Sequence, residues 1–259
     1  MVEDSLSPAS ITDKLETRFI GQRVIYHPRV TSTNELAKQE AQRGAVGGTV
    51  VIAAEQTAGR GRLKRVWLSP KGSVALSIIL YPSVVYLPSL IMVASLAVAH
   101  SIEAVTGLKP QLKWPNDVLV NGRKVSGILI ENNVQGSIVN YAIIGIGVNV
   151  NLKLSDFPGI LPAATSLSDE LGRDVPPLEL VRCLLVEIEK LYLELPTGGS
   201  IYQEWRDSLV NIGRRVHIRS GEVDCKGIAE SVASDGSLLL RHPDGSLTKI
   251  VAGDVTLCD

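Results

Sequence analysis

The sequence predicts an α+β fold: a mixed sheet with helices packed on it, followed by a small β-barrel. Three observations carry that expectation. Short aliphatic, β-branched runs alternate with two long helical patterns. Asn121-Gly122 sits between two apolar strands, a strong hairpin signal. Beyond Gly213, short strands recur between glycine turns. The spacing places one domain over residues 1–211 and a second over 212–259.

The elements follow in order. The first 20 residues read as a polar lead-in with a short helix, and Val24 to Tyr26 begins the first strand. Ser32 and Glu35 have capping-box spacing, so a helix is expected to open there and to close at Gly44. Thr49 to Glu55 reads as a strand, followed by a Gly/Arg-rich loop. From Gly72 to Ile102 there is no formal charge, which raises a membrane span. Pro82 and Pro88 divide that stretch. Val74 to Tyr81 has the texture of a buried strand. Leu87 to Thr106 reads as a core helix with Gly107 past its end. Lys124 to Glu131 should pair back across the hairpin, and Ile138 to Val150 forms a long strand. Pro177 opens a helix to about Leu195, with Leu180, Leu184, Ile188 and Leu191 on one face. Tyr202 to Val210 is a shorter helical stretch. Ser220-Gly221, Asp235-Gly236 and Asp244-Gly245 then mark the turns of the barrel.

Composition narrows the function classes. The chain has 259 residues, 45% hydrophobic and 20% charged, which fits a globular protein with a sizeable core. Lys and Arg total 26 against 27 acids, a net charge of -1. No global field draws nucleic acid or an anionic membrane, so either role would need a local patch. The cysteines Cys183, Cys225 and Cys258 are scattered, as are the four histidines. Neither a disulfide framework nor zinc-ligand spacing is present, and a reduced, cytoplasmic setting is expected. The acidic N-terminus does not read as a signal peptide.

Three segments could carry chemistry. QTAGRGRLKRVWLSPKG, residues 56 to 72, holds Arg60, Arg62, Lys64, Arg65 and Lys71 without an acid. Glycines let backbone N–H groups approach a phosphate, and arginine forks supply charge and paired donors. The segment matches neither the Walker nor the Rossmann pattern. A solvated basic loop, a nucleic-acid patch and a loop closing on a phosphorylated intermediate all remain open on these residues alone. KWPNDVLVNGRKVSGILIE, residues 113 to 131, sets Asn116 and Asp117 at a strand restart and Lys124 and Gly127 on the return strand. That lysine either snorkels at an edge or neutralises a carboxylate or phosphate. GIGVNV, residues 145 to 150, places two glycines and Asn149 in a buried strand, where glycine marks a bulge or close approach by a ligand.

Taken together with TSTNELA from Thr31, ATSL at Ala164 to Leu167 and AGDVTL at 252–257, these segments resemble the biotin–protein ligases. The resemblance runs from Thr31 to the C-terminus. It implies activation of biotin by Mg-ATP to biotinyl-5′-AMP, then transfer to one lysine of a biotin carboxyl carrier protein domain. It assigns Ser32, Thr33, Asn34 and Gln56 to biotin, with Gly59, Arg60, Gly61 and Arg62 as a loop ordering over biotin and phosphate. Lys124 is expected beside the carboxylate and α-phosphate. Gly127, Gly145 and Gly147 leave room for the rings, with Trp67 packing near the loop. Arg60, Arg62, Arg65, Trp67, Asn116, Asp117, Lys124 and Asn149 are expected on the adenylate side. Lys124, Arg62 and Asp117 form the catalytic set, with Asp117 open as base, magnesium ligand or positioner; no metal ligand is assigned. The loop at 151–163 cannot be matched to the family residue by residue.

About thirty residues precede TSTN, too few for the winged helix of the repressor-type members, so the resemblance is to the monofunctional type without a DNA-binding domain. It also allows a homodimer through the sheet edge. No nucleic acid or membrane partner is expected. Two rivals are a lipoate- or octanoyl-transferring enzyme of the same fold and a nucleic-acid binder using the 56–72 loop. The second lacks an aromatic platform.

Overall fold

The computed structural model describes residues 6–157, 163–198, 200–220 and 223–258. Residues 158–162 of the unmatched loop and Gly221 of the Ser220-Gly221 turn lie outside the described residues, as do the first five of the polar lead-in.

The chain opens with α1 (Pro8–Thr12), β1 (Val24–His27), α2 (Thr33–Gln42), β2 (Val50–Ala53) and β3 (Ser73–Leu80). A 3-10 turn over Val84–Ser89 leads into α3 (Leu90–Thr106), then β4 (Gln111–Lys113), β5 (Asp117–Val120), β6 (Arg123–Gln135) and β7 (Ile138–Asn149). Three helices follow: α4 (Leu167–Leu171), α5 (Pro177–Glu194) and α6 (Ile201–Asp207). The last strands are β8 (Arg215–Ser220), β9 (Val223–Val232), β10 (Leu238–Arg241), β11 (Leu247–Ile250) and β12 (Asp254–Leu257).

Strands β1 to β7 form one mixed sheet in the order β1-β2-β3-β7-β6-β5-β4, in which only β1 and β2 run parallel. The helix between them is α2, as a parallel crossover requires. Asn121 and Gly122 both adopt positive φ, 50° and 75°, which is the two-residue turn that suits a hairpin's twist. Strands β8 to β12 form a second, antiparallel sheet in the order β11-β10-β9-β8-β12.

The uncharged stretch is a strand and a helix, and both are in the core. Every residue of β3 is buried. The helical pattern expected from Leu87 divides at Leu90: the turn containing Pro88 is 3-10 and α3 begins after it. Proline removes an N–H and crowds the preceding turn, so the regular ladder starts beyond it. By length and composition Val84–Thr106 could cross a membrane. In this fold α3 buries Leu90, Val93, Leu96, Ala97 and Ile102 between the sheet and α5. Gly107, at φ 76°, ends it, and its N–H donates to the Glu103 carbonyl. All four apolar residues expected on one face of α5 are buried.

One expectation fails in detail. Ser32 caps α2 by position, but its side chain makes no capping hydrogen bond. The Glu35 carboxylate accepts from Arg60 at 2.8 Å. A guanidinium is a stronger partner than a backbone amide, so the capping box does not close.

The two faces of the large sheet differ. Ala142, Ile144, Ile146 and Val148 of β7 face the main core, which continues through Trp114 and Trp205 into Val216, Ile218 and Leu238 of the second sheet. On the other face, Tyr141 and Ile143 pack with Val51 and Ile79 beneath Ala37 and Ala41 of α2. Strand alternation then brings Gly145 and Gly147 onto that same face. Register extends the small residues sideways. Ala53 pairs with Ala75, Ala75 with Gly147, Gly147 with Gly127, and Gly127 with Asp117. Ala53 and Ala75 are buried, and the row opens as a trough at Gly147 and Gly127, beside that carboxylate.

Candidate active site

The trough is the floor of a cleft of about 280 Å³. Its first wall is the start of α2. The Gln56 Oε1 accepts from the Thr33 N–H at 2.8 Å and from the Thr33 hydroxyl at 3.1 Å. Ser77, on β3 beneath, lies 2.8 Å from Thr33 Oγ1 and 2.6 Å from Asn34 Oδ1. Ser32, Thr33 and Asn34 are all buried, and together with Gln56 they line the cleft. This corner presents neutral donors and acceptors.

The opposite wall carries charge. Lys124 Nζ lies 2.5 Å from Asp117 Oδ1 and 5.4 Å from the centre of the Trp67 ring. An ammonium held between a carboxylate and an aromatic face is fixed in place before any anion arrives. The backbone of Lys124 is also clasped: its N–H donates to Ala163 O at 3.0 Å, and its carbonyl accepts from Thr165 at 2.8 Å. Asn116 is fully engaged, donating to Ile128 O at 2.8 Å and accepting from Arg62 at 3.4 Å.

The Gly/Arg segment forms a small hairpin above the floor. Arg60 pairs with Val66, the Trp67 N–H donates to Gly59 O at 2.9 Å, and the Gly61 N–H donates to Arg65 O at 2.8 Å. Leu63 turns the tip at φ 52° and is 54% exposed. Gly59 is needed for the hairpin's base: a Cβ there would stand 2.4 Å from Trp67 O. Arg62 reaches back to Asn116 and to Gly253 O at 3.5 Å. Arg65 pairs with Asp254 of β12. Burial draws the Arg62 guanidinium below its ordinary pKa. Asp254 and Asp117 oppose that shift, and Arg65 adds to it. The arginine segment therefore bridges the two sheets over the cleft.

Most expected site residues converge here: Ser32, Thr33, Asn34, Gln56, Arg60, Gly61, Arg62, Arg65 and Trp67, with Asn116, Asp117, Lys124, Gly127, Gly145 and Gly147. Two do not line it. Gly59 braces the loop, and Asn149 is buried, its Nδ2 donating to Thr165 O at 3.0 Å. That bond holds the 163–165 segment against Lys124. The glycines also have more specific partners than expected. A Cβ on Gly145 would stand 2.0 Å from Asn34 Oδ1, and one on Gly147 would stand 2.3 Å from Trp67 Nε1. Gly127 faces Trp67 at 3.0 Å and Lys124 at 3.2 Å. The absent side chains admit Asn34 and the indole, and these two form the inner surface of the cleft.

Asp254, which lines the cleft, and several residues that stand behind its lining were not anticipated. Ser77 could have been noticed as a hydroxyl in the aliphatic run Ser73–Leu80. Glu131, Lys38 and Asp254 have no local signal. Among the described residues no three His, Cys, Asp or Glu side chains cluster as a metal cage. A magnesium ion that arrives on nucleotide phosphates needs only one or two protein carboxylates. The cleft offers Asp117 and Asp254, so its donors fit such an ion.

Comparison with known proteins agrees with this geometry. Residues 26–149 match the Biotin/lipoate A/B protein ligase family, and residues 212–257 match the Biotin protein ligase C terminal domain. The Bifunctional ligase/repressor BirA of Bacillus subtilis is 38% identical over 97% of this chain and 79% of its own. The Biotin--[acetyl-CoA-carboxylase] ligase of Paracoccus denitrificans is 36% identical over 84% of this chain and 93% of its own. The structure of the biotin protein ligase from Aquifex aeolicus in complex with biotin and ATP superposes with a TM-score of 0.77 at 29% identity, covering 92% of this chain and 99% of that one. Fold and cleft together define a ligase of the biotin/lipoate type. More narrowly, the chain belongs to the biotin protein ligase family.

Proposed function

We propose that the protein activates biotin with Mg-ATP and transfers it to one lysine of a biotin carboxyl carrier protein domain. The observation that carries this reading is the row ending at Asp117, which sets Lys124 and the arginine hairpin around a small-residue trough. Biotin's thiophane ring and valeryl chain are apolar and suit the trough between Trp67 and the α2 corner. The ureido group suits the neutral donors and acceptors of Ser32, Thr33 and Gln56. The carboxylate then points toward Lys124.

In the first step a carboxylate oxygen attacks the α-phosphorus of ATP. The α–β bond breaks, and pyrophosphate leaves. Two anions must meet, so fixed cations in a water-poor site lower the barrier. Lys124 and Arg62 supply them. Magnesium, carried by the phosphates and reached by Asp117, would neutralise part of the nucleotide's charge. In the second step the carrier lysine, having lost its proton, attacks the acyl carbon; the amide forms and AMP leaves. In this reading Asp117, paired with Lys124 at rest, takes that proton. The mixed anhydride is labile to water, which gives the hairpin over the cleft a use.

The reading divides the chain into a catalytic unit over residues 1–211 and a C-terminal unit over 212–259. The free thiols of Cys183, Cys225 and Cys258 fit a cytoplasmic enzyme. Incubation with biotin, ATP, magnesium and a carrier domain should add one biotinyl group to one carrier lysine, read by mass spectrometry. A carrier left unmodified, or modified equally well with lipoate, contradicts the proposal.

A further inference from the structure

Glu131 lies on β6, the strand that carries Gly127 of the floor, and its carboxylate touches both α2 and the hairpin. It accepts from Asn34 Nδ2 at 2.8 Å and from Lys38 Nζ at 2.6 Å, both on α2. Arg60 of the hairpin lies 3.5 Å away. Glu35 supplies a second carboxylate to the same guanidinium at 2.8 Å and stands 3.9 Å from Lys38. Two acids and two bases therefore alternate across the seam between α2, β6 and the hairpin.

We propose that Glu131, assisted by Glu35, is a positioning residue that latches Arg60, and with it the hairpin, to the α2 corner of the cleft. The inference rests on the ligase reading. Ion pairs tie the arginine segment to the elements around it: Asp254 of the second sheet holds Arg65, and the Glu35–Glu131 pair holds Arg60. The second attachment is coupled to substrate binding. The Asn34 amide that bonds Glu131 turns its oxygen to Ser77, beside the Thr33 and Gln56 contacts. A carboxylate shared by the corner and the hairpin makes an ordered corner favour a closed hairpin, and the reverse. The lysine at 38 serves the same end: without it, two carboxylates would face one guanidinium with excess negative charge.

The chemistry also sets what the latch is for. Neither acid reaches Lys124 or Asp117, so neither is needed to form the acyl–phosphate anhydride. Retaining it is a different task. An adenylate that escapes reacts with any free amine, forming an amide and releasing AMP without the enzyme. The latch should act on escape and leave synthesis alone.

The test compares wild type, Glu131→Gln and Glu35→Gln with biotin, ATP, magnesium, a carrier domain and an inert bystander protein rich in lysine. The measured quantity is bystander biotin per carrier biotin, at matched pyrophosphate release and rising ionic strength. Losing one charge-assisted contact should raise the ratio about tenfold in Glu131→Gln and by a few-fold in Glu35→Gln. In wild type the ratio should climb with salt, because partly exposed pairs are screened, and Glu131→Gln should respond less. A residue that merely supported the fold would alter melting temperature but not this salt dependence. Wild-type ratios in both folded variants overturn the latch. Should Glu131→Gln fail to fold, the half-exposed Glu35→Gln decides alone: a raised ratio that responds less to salt than wild type supports the latch, and a ratio that is unchanged, or raised with the wild-type salt response, overturns it. Pyrophosphate release that needs biotin separates the two claims. With it, an unchanged ratio removes only the latch; without it in wild type, the ligase reading fails and takes the latch with it.

Discussion

One face of the large sheet behaves in two ways along its length. At one end Val51, Ile79, Tyr141 and Ile143 are large and pack under α2. At the other, β2 and β3 present the buried Ala53 and Ala75, and β7 and β6 present Gly147 and Gly127, which line the trough. Backbone geometry is continuous from one half to the other. In the proposed reading, side-chain volume alone turns a core surface into a binding surface, and the chemistry falls where the row reaches Asp117 and Lys124. Core residues should therefore govern stability, and trough residues should govern the reaction.

Four substitutions test that division. The largest effect is expected at the reaction centre. Lys124→Ala should cut biotinyl-AMP synthesis by roughly 10²–10³, the usual loss for one preorganised electrostatic donor, with the melting temperature little changed. Rapid-quench measurement of a single turnover checks it, and a near-normal rate removes Lys124 from the catalytic set. In the packed half, Ile143→Ala should cost about 2–5 kcal/mol in denaturant unfolding, through lost burial and a cavity. Its biotin KM should match wild type while the protein is folded; a raised KM would mean the halves are not separate.

Gly147→Ala crosses the boundary. The added methyl would stand 2.3 Å from the indole nitrogen, so Trp67 must leave its bed. Biotin should bind about tenfold more weakly, in line with the 1–3 kcal/mol typical of overpacking. The methyl meets Trp67, the least buried of the three tryptophans, so tryptophan emission should shift. Unchanged emission and affinity would contradict the packing described. The smallest change is expected for Asp254→Asn, which loosens Arg65 at a partly exposed pair worth at most about 1 kcal/mol. ATP KM should rise no more than a few-fold and biotin KM should hold. A tenfold change would give the second sheet a larger part in catalysis.

Local signals were legible in the sequence, and partnerships across the fold were not. Asn121-Gly122 and the period of α5 predict their structures because a turn and a helix are specified by neighbouring residues. Lys124 and the arginine segment were found because clustered charge beside glycine is unusual in an apolar strand context. The Ser32–Glu35 spacing misled, since Glu35 meets Arg60 only once the chain has folded. Arg65 and Asp254 lie 189 residues apart, and no local pattern joins them. Gly145 and Gly147 read as a bulge or as room for a ligand, and the structure brings protein side chains against them. That Asn34 and Trp67 come close there depends on register between strands, which short-range pattern does not carry.

In the proposed reaction the trough binds biotin with its carboxylate against Lys124, ready to attack ATP. Exchange of labelled pyrophosphate into ATP measures that step without any carrier. The wild-type protein should exchange label with biotin and magnesium present, and not with lipoate or octanoate. Lys124→Ala should lose nearly all of the signal. Exchange that is absent with biotin, supported equally by the other acids, or retained in Lys124→Ala would contradict the account.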